Sequence, residues 1–517
     1  LVIVLFWKPI FLFLKKIDHQ IFLADTDLSL PGHQTNHVKV FVLLCMTFGL
    51  FFIFLTPPFN VPDEAGHFEQ SYYVAHGQLM PKVDAHGNVY GTIDKGYLSF
   101  RNVWPGVQFD TNKKVTYANI HATLESASDN TPAKIPYRYF YYPFILYIPQ
   151  AVGMTVGKFL FHLFRMNQYY NTFQQMIFAR LFNLFFYMVV VACAIKIIPF
   201  FKRTMLFVAL MPMTIYVAAS CSADTFVYAI CFLAVAYILK LAYAKDVQVI
   251  GKKEIACLSG LCGLLLFSKS IYILVFGLCL LIPREKFKGM KRKLRSLLVA
   301  ALIGCVIFGI WYATLKTLTQ TMTPGSFYAW GKNGVAISKT ESLQVHYILT
   351  HPIRYLMIMY NDFFMQRGYL VSFIGRFGWL DTIVPAAFTV FYATLLIVSA
   401  LMEHFPFHLE KWKRLWMLIL SGGVVVLVDT SQYVSWTSHP VYIGGLGIIG
   451  GTEIIGVQGR YFIPIALVAL LLLANRFAVQ FRMLGKMNGW FDRLANALVV
   501  ASLNISIFYI FLRFWIA

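Results

Sequence analysis

The chain has 517 residues, 58% of them hydrophobic and only 13% charged, with a mean hydropathy of +0.64. Soluble globular domains carry about 25% charged residues, so this composition excludes a soluble protein and predicts a multi-pass membrane protein. The formal net charge of +21 does not point to nucleic acid, because the basic residues sit in short loops between apolar runs, where they set membrane orientation and meet anionic lipid.

In chain order, residues 1–37 form an N-terminal segment. Its apolar stretch Leu1 to Leu14 is too short to cross a bilayer and is interrupted by Lys8-Pro9, so it reads as an interfacial helix. Lys15, Lys16 and Lys39 favour a cytoplasmic N-terminus. The first span is Val38 to Thr56, and a long polar and aromatic segment, 57–175, follows it. Whether Tyr139 to Leu163 crosses the membrane decides everything downstream. If it does not cross, the later spans (near 176–198, 204–219, 225–243, 255–268, 270–282, 297–316, 382–402, 414–434, 461–475 and 494–514) alternate so that Lys202/Arg203, Lys252/Lys253, Arg284 to Arg295, Lys411/Lys413/Arg414 and Arg476/Arg482/Lys486 all fall inside. Tyr139 to Leu163 is therefore expected to lie along the outer membrane face.

The predicted fold is all-α, a polytopic bundle of about eleven transmembrane helices in the cell membrane, with the C-terminus outside. It divides into a transmembrane module over 38–316 that includes the outer segment 57–175, a second outer segment 317–381, and C-terminal helices over 382–517. Neither an internal repeat nor the paired interrupted helices of transporters is evident.

Several residues are candidates for chemistry. Asp63, Glu64 and His67 follow Pro62 where the first span ends, and a helix starting there puts Asp63 and His67 one turn apart on one face. Helix capping alone accounts for Asp, Glu and Pro at such a start. Vicinal carboxylates at a low-dielectric boundary also raise one another's pKa, which suits one of them to take a proton from a hydroxyl. Arg460 and Lys269 stand at outer span mouths and Arg180 near the head of the span after the long segment. Snorkelling is the plain explanation, but the three together suit an anionic headgroup. Asp224 occupies a tight outer turn, where a turn or cap role is the simpler expectation.

Other patterns carry less. Gly445-x-Gly447-x-x-Gly450 matches a dinucleotide expression but has no strand before it, and Gly325 to Lys332 misses the phosphate-loop spacing. The histidines show no ligand spacing, so no metal site is predicted and a divalent metal is possible only through carboxylates. The eight cysteines lie in or at the end of apolar runs and form no disulfide framework.

The motifs Pro62-Asp63-Glu64-x-x-His67-Phe68, Tyr141-Tyr142-Pro143, Ala179-Arg180-x-x-Asn183, Ser220-x-Ser222-Ala223-Asp224, Ser268-Lys269, Gly375-x-Phe377-Gly378-Trp379-Leu380-Asp381 and Gln458-Gly459-Arg460-Tyr461-Phe462 occur in this order. Over about Phe52 to Pro464 the chain resembles a bacterial family of multi-pass membrane proteins of unknown function, which in turn is similar to the type C (GT-C) glycosyltransferases. That resemblance implies a sugar moved from a polyprenyl-phosphate donor to a hydroxyl on an envelope glycan, lipid or protein at the extracytoplasmic face. Asp63 would be the base, with Glu64 its understudy or a metal ligand, and His67 would orient or touch phosphate. Arg460, Lys269 and Arg180 would hold the donor phosphate, with Asp224, Gln458 and Tyr461 in support. The alternatives are a flippase, exporter or polymerase of envelope polysaccharide, and a membrane scaffold without catalysis.

Overall fold

The computed structural model describes residues 36–516 except 87, 127–128, 138, 140–141, 320–336, 366–367, 404, 406–408, 438–448 and 475–486. The helix expected over Leu1 to Leu14, the loop Arg476 to Lys486, Tyr141, Gly445 and Gly447 and the Gly325 to Lys332 stretch lie outside the described residues.

Helices dominate, as the composition requires. The chain runs through α1 (His37–Leu55), α2 (Glu64–Ala75), α3 (Ile148–Leu163), α4 (Thr172–Ile197), α5 (Lys202–Ala209), α6 (Pro212–Ala218), α7 (Asp224–Tyr243), α8 (Lys252–Ser268), α9 (Met290–Thr319), α10 (Pro352–Tyr360), α11 (Lys411–Gln432), α12 (Ile463–Leu471) and α13 (Met487–Trp515), with further helices between. Among the described residues seven helices are long and apolar enough to cross a membrane, and Ser270–Leu281, Ala386–Met402 and Gly459–Leu471 are shorter apolar helices.

Five of the eleven expected spans, 204–219, 255–268, 270–282, 382–402 and 461–475, are not among these seven, and in two of them the cause is visible. The 204–219 stretch is two helices, α5 and α6, broken at Leu210-Met211. Pro212 has no N–H to continue the ladder and forces Met211 into an extended conformation (φ −56°, ψ 136°). Ser270–Leu281 is a 3₁₀ helix of 12 residues, which reaches less far than an α-helical span. The break in α5–α6 is wholly buried, so the bundle does contain an interrupted helix at its core.

Phe144–Leu163 is among the seven helices of spanning length. Its packing nevertheless keeps it on one side. Arg180 of α4 bonds the carbonyls of Ile53 and Thr56, Gly49 packs on Leu184, and Phe41 on Tyr187, so α1 and α4 are antiparallel neighbours. A single crossing between them would have made them parallel. Instead α3 lies against the first half of α4: Gly153 and Gly157 have no room for a Cβ against Phe178 and Phe182, and Tyr170 donates to the Met154 carbonyl.

The groups expected outside gather at one end of the bundle: Asp63, Asp224, Lys269, Arg460, and Arg513 near the C-terminus, which bonds Asp381. At the other end Arg203 pairs with Asp492, Glu403 accepts from the Arg203 and Thr204 amides, and Arg414 caps the carbonyls of Leu472 and Ala474. For Arg203 and Arg414 the basic loops and the row of charges fall at opposite ends of the bundle, as the alternation inferred from charge requires.

The segment after α1 also holds a three-stranded antiparallel sheet that the sequence reading did not anticipate. Its strands are β1 (Lys82–Val83), β2 (Val89–Asp94) and β3 (Pro132–Pro136), in the order β1-β2-β3, with Gly91 opposite Ile135. Tyr73 of α2 packs over Gly91, so the sheet backs the helix that carries His67. A second pair, β4 (Arg376–Phe377) and β5 (Thr382–Ile383), turns through Gly378, whose φ of +61° favours glycine.

Candidate functional site

The turn Pro57 to Asp63 is fixed from several distant points. Trp379 Nε1 donates to the Phe59 carbonyl at 2.8 Å, and the Tyr216 hydroxyl donates to the Asn60 carbonyl while accepting from the Gly378 amide. Arg513 grips Asp381 at 2.7 Å and also bonds the Val107 carbonyl. The Gly-x-Phe-Gly-Trp-Leu-Asp motif thus builds the wall of this turn.

Asp63 stands at the N-terminus of α2 with φ +67°, a conformation that costs energy for a residue other than glycine. Its side chain makes no capping bond, so helix capping does not explain its carboxylate. It reaches Arg460 instead: Nη2 donates to Oδ2 at 3.1 Å, and the Tyr139 hydroxyl donates to Oδ1 at 3.4 Å. Arg460 Nε lies 3.6 Å from Asp224 Oδ2, and Lys269 Nζ donates to Asp224 Oδ1 at 2.6 Å. Four charges from four separate parts of the chain form one row, Asp63–Arg460–Asp224–Lys269, with two positive and two negative members. Asp63 and Lys269 are the more open ends, with side chains 31% and 21% exposed against 4% for Arg460 and 6% for Asp224.

Tyrosines line this row. Lys269 lies 4.8 Å from the centroid of the Tyr461 ring and Arg460 5.4 Å from the same ring. The Tyr228 and Tyr272 hydroxyls donate to the Arg460 and Tyr461 carbonyls. These are Lys and Arg side chains held by counter-ions and rings, not cations snorkelling to an interface, and Asp224 serves as an ion-pair partner where a turn role was the simpler expectation.

His67 is buried beside Asp63, its Nδ1 3.0 Å from the Tyr147 hydroxyl and its ring stacked on Tyr139. Burial lowers its pKa to about 4, aided by Lys269 and Arg460 and opposed by Asp63 and Asp224. The imidazole is therefore neutral at neutral pH.

Glu64 and Arg180 are placed elsewhere. Consecutive residues at a helix start point in different directions, so the two carboxylates part, and each finds its own cation in place of the mutual repulsion expected of vicinal acids. Glu64, fully buried, takes a bidentate bond from Arg180 at 2.8 and 2.6 Å and a third from the Cys221 amide. Arg180 also bonds the carbonyls of Ile53, Thr56 and Pro57, so its guanidinium closes the end of α1. One turn on, Asn183 donates to the Ser220 carbonyl and to Thr225, which fixes the turn that presents Asp224.

A model of the family described as predicted membrane protein (DUF2142) matches residues 46–469, most of the chain and every residue of this site. The chain belongs to the DUF2142 family. No curated protein and no solved structure matches it.

In this DUF2142 chain the Gln458-Gly459-Arg460-Tyr461-Phe462 motif is a 3₁₀ turn, Gly459–Phe462, that leads into α12. Gly459 abuts the Tyr369 carbonyl and the Phe373 amide and donates to Ser372 Oγ, so backbone on both sides leaves no space for a side chain. Gln458 contributes no bond to the charged row, and its Oε1 is buried without a partner. Among the described residues no group of three or more His, Cys, Asp or Glu comes together to hold a metal. A cavity of about 190 Å³ is lined by Arg180 together with Thr56, Trp104, Phe173, Met176 and Trp515. Sequence reasoning missed Tyr139, Tyr147, Tyr228 and Tyr272, since isolated tyrosines in an aromatic-rich chain carry no spacing signal.

Proposed function

We propose that this DUF2142 protein is a membrane glycosyltransferase of the GT-C kind, moving a sugar from a polyprenyl-phosphate carrier to a hydroxyl of an envelope glycan, lipid or protein at the extracytoplasmic face. The observation that carries the reading is the convergence of Asp63 with Arg460, Asp224 and Lys269 at one end of the bundle. Such a reaction needs a base for the acceptor and cations for a phosphate leaving group, side by side, and this row supplies both.

On this reading the donor phosphate takes Arg460 Nη2 and Lys269 Nζ, while Asp224, with its carboxylate toward both cations, keeps them in place. Asp63 is released from Arg460 and takes the acceptor proton. The acceptor oxygen bonds the anomeric carbon, the bond from that carbon to the phosphate oxygen breaks, and polyprenyl phosphate leaves with the electron pair. A single displacement inverts the anomeric centre. His67, uncharged, and Tyr139 orient Asp63; Tyr461 lies under both cations. Glu64 and Arg180 frame the site without touching substrate.

The test is purified protein in detergent with a panel of polyprenyl-phosphate sugars and acceptors, scored for release of polyprenyl phosphate. Release from none of them, with export of a lipid-linked glycan from vesicles, supports the second reading: a flippase, exporter or polymerase. One observation favours that reading, the buried break between α5 and α6, because interrupted helices line substrate paths in transporters.

A further inference from the structure

A second pair of buried acids stands apart from the Arg460 row. Asp429, in the last turn of α11, is fully buried, and Asp362, in the π turn Asn361–Met365 after α10, is 2% exposed. The two elements pack together here: Tyr355, two turns before Asp362, donates its hydroxyl at 2.7 Å to Thr430, the neighbour of Asp429. The Tyr369 hydroxyl donates to Asp362 Oδ2, and the Ile454 amide donates to the same carboxylate. Each acid lies within electrostatic reach of the other.

What these groups lack decides the chemistry. Both carboxylate oxygens of Asp429 and Oδ1 of Asp362 are buried without a hydrogen-bond partner, and among the described residues neither acid is in an ion pair. Gln432, one turn on from Asp429, and Gln458 each bury an unpartnered side-chain carbonyl oxygen. The Gln432 oxygen faces Gly456, within the Ile454 to Gln458 stretch that also meets Asp362. All five atoms are oxygen acceptors, and two buried carboxylates within electrostatic reach of each other cannot both stay ionised in a low-dielectric interior without a positive partner.

We infer that Asp362 and Asp429, with the side-chain carbonyls of Gln432 and Gln458, bind a hard divalent cation of the Mg²⁺, Mn²⁺ or Ca²⁺ type. Oxygen-only ligands with two carboxylates, completed by amide oxygens and water, suit these ions. The site joins the Arg460 row through Tyr369, whose hydroxyl is on Asp362, whose carbonyl abuts Gly459, and whose ring packs on Phe462. A cation there would set the turn that presents Arg460 without entering the row itself.

The experiment is Mn²⁺ titration of the purified full chain by electron paramagnetic resonance, after chelator treatment, with Mg²⁺ and Ca²⁺ as competitors. It requires no transfer activity, so its outcome is separate from that of the glycosyltransferase reading. The expected result is one Mn²⁺ per chain, weakened at least about tenfold by Asp429→Asn and by Asp362→Asn and unchanged in Asp63→Asn. In chelator, Asp429→Asn should melt no lower than wild type, because it removes an unpaired buried charge; this separates lost binding from lost folding. Absence of stoichiometric Mn²⁺, binding that survives both substitutions, or loss on Asp63→Asn overturns the inference. So does stabilisation by acid alone with no response to cations, which would mean the pair shares a proton.

Discussion

Arg460 Nη2 donates to Asp63 Oδ2 at 3.1 Å although the two residues stand 397 positions apart in the chain. The pair joins the end of the first span to the turn before α12, and Asp63 keeps enough exposure to meet a substrate while Arg460 does not.

Replacing Asp63 by Asn should therefore remove proton transfer and leave the fold. Polyprenyl-phosphate release is expected to fall roughly 10²–10⁴-fold, the usual contribution of a general base. The melting temperature should stay near that of wild type. Full turnover in Asp63→Asn would remove the base from the proposal.

Glu64→Gln should behave in the opposite way. It leaves the Arg180 guanidinium buried with no counter-ion, a change that costs about 3–5 kcal/mol when one partner of a buried pair is deleted. Arg180→Lys should fail to compensate, because an ammonium cannot hold both Glu64 oxygens and three carbonyls at once. Thermal unfolding in detergent measures both; a Glu64→Gln protein as stable as wild type would show that the pair is not a structural element.

Lys269→Met keeps the stem that lies over Tyr461 and removes the charge. If Lys269 holds the leaving phosphate, turnover falls by roughly 10²–10³, the effect of deleting one donor to a developing anion. The kinetic comparison is with Asp63→Asn: the lysine variant should also weaken binding of free polyprenyl phosphate, and the aspartate variant should not.

His67 gives a pH signature. Its pKa is lowered from 6.5 to about 4 when the chain folds, so between these values the unfolded chain binds the extra proton. Stability from this group is complete above about pH 6.5 and is lost as pH falls toward 4, on the order of 3 kcal/mol at most. Melting temperatures from pH 7.5 to 5 should fall for wild type and fall less for His67→Gln. Equal slopes would place the loss elsewhere.

Asn112, exposed in the segment after α1, and Lys202, at the opposite end, test orientation. With the N-terminus cytoplasmic, Asn112→Cys in intact cells should react with a membrane-impermeant maleimide and Lys202→Cys only after lysis. The reverse labelling pattern would put the charged row on the cytoplasmic side and end the extracytoplasmic reading.

The alternation of spans was legible from charge. The Lys and Arg of most short loops mark one side because moving them through hydrocarbon is costly; that rule placed Lys202/Arg203 and Arg414 at one end, and the alternation it set put Arg460 and Lys269, against the trend, at the other. Asp63, His67, Arg460, Lys269 and Asp224 were legible as candidates because ionisable residues at span ends need a reason to be there. The broken helix at Met211-Pro212 could have been read from its proline, yet the apolar run around it concealed the break.

Sequence by itself determined that this is a membrane bundle with acids and cations at its span ends, since composition and loop charge depend only on the cost of transferring each residue out of water. Only the tertiary structure decided which charge meets which. Glu64 turned to Arg180 and Asp63 to Arg460 because neighbouring side chains on a helix diverge, and partners hundreds of positions away are chosen by packing, which no local pattern records.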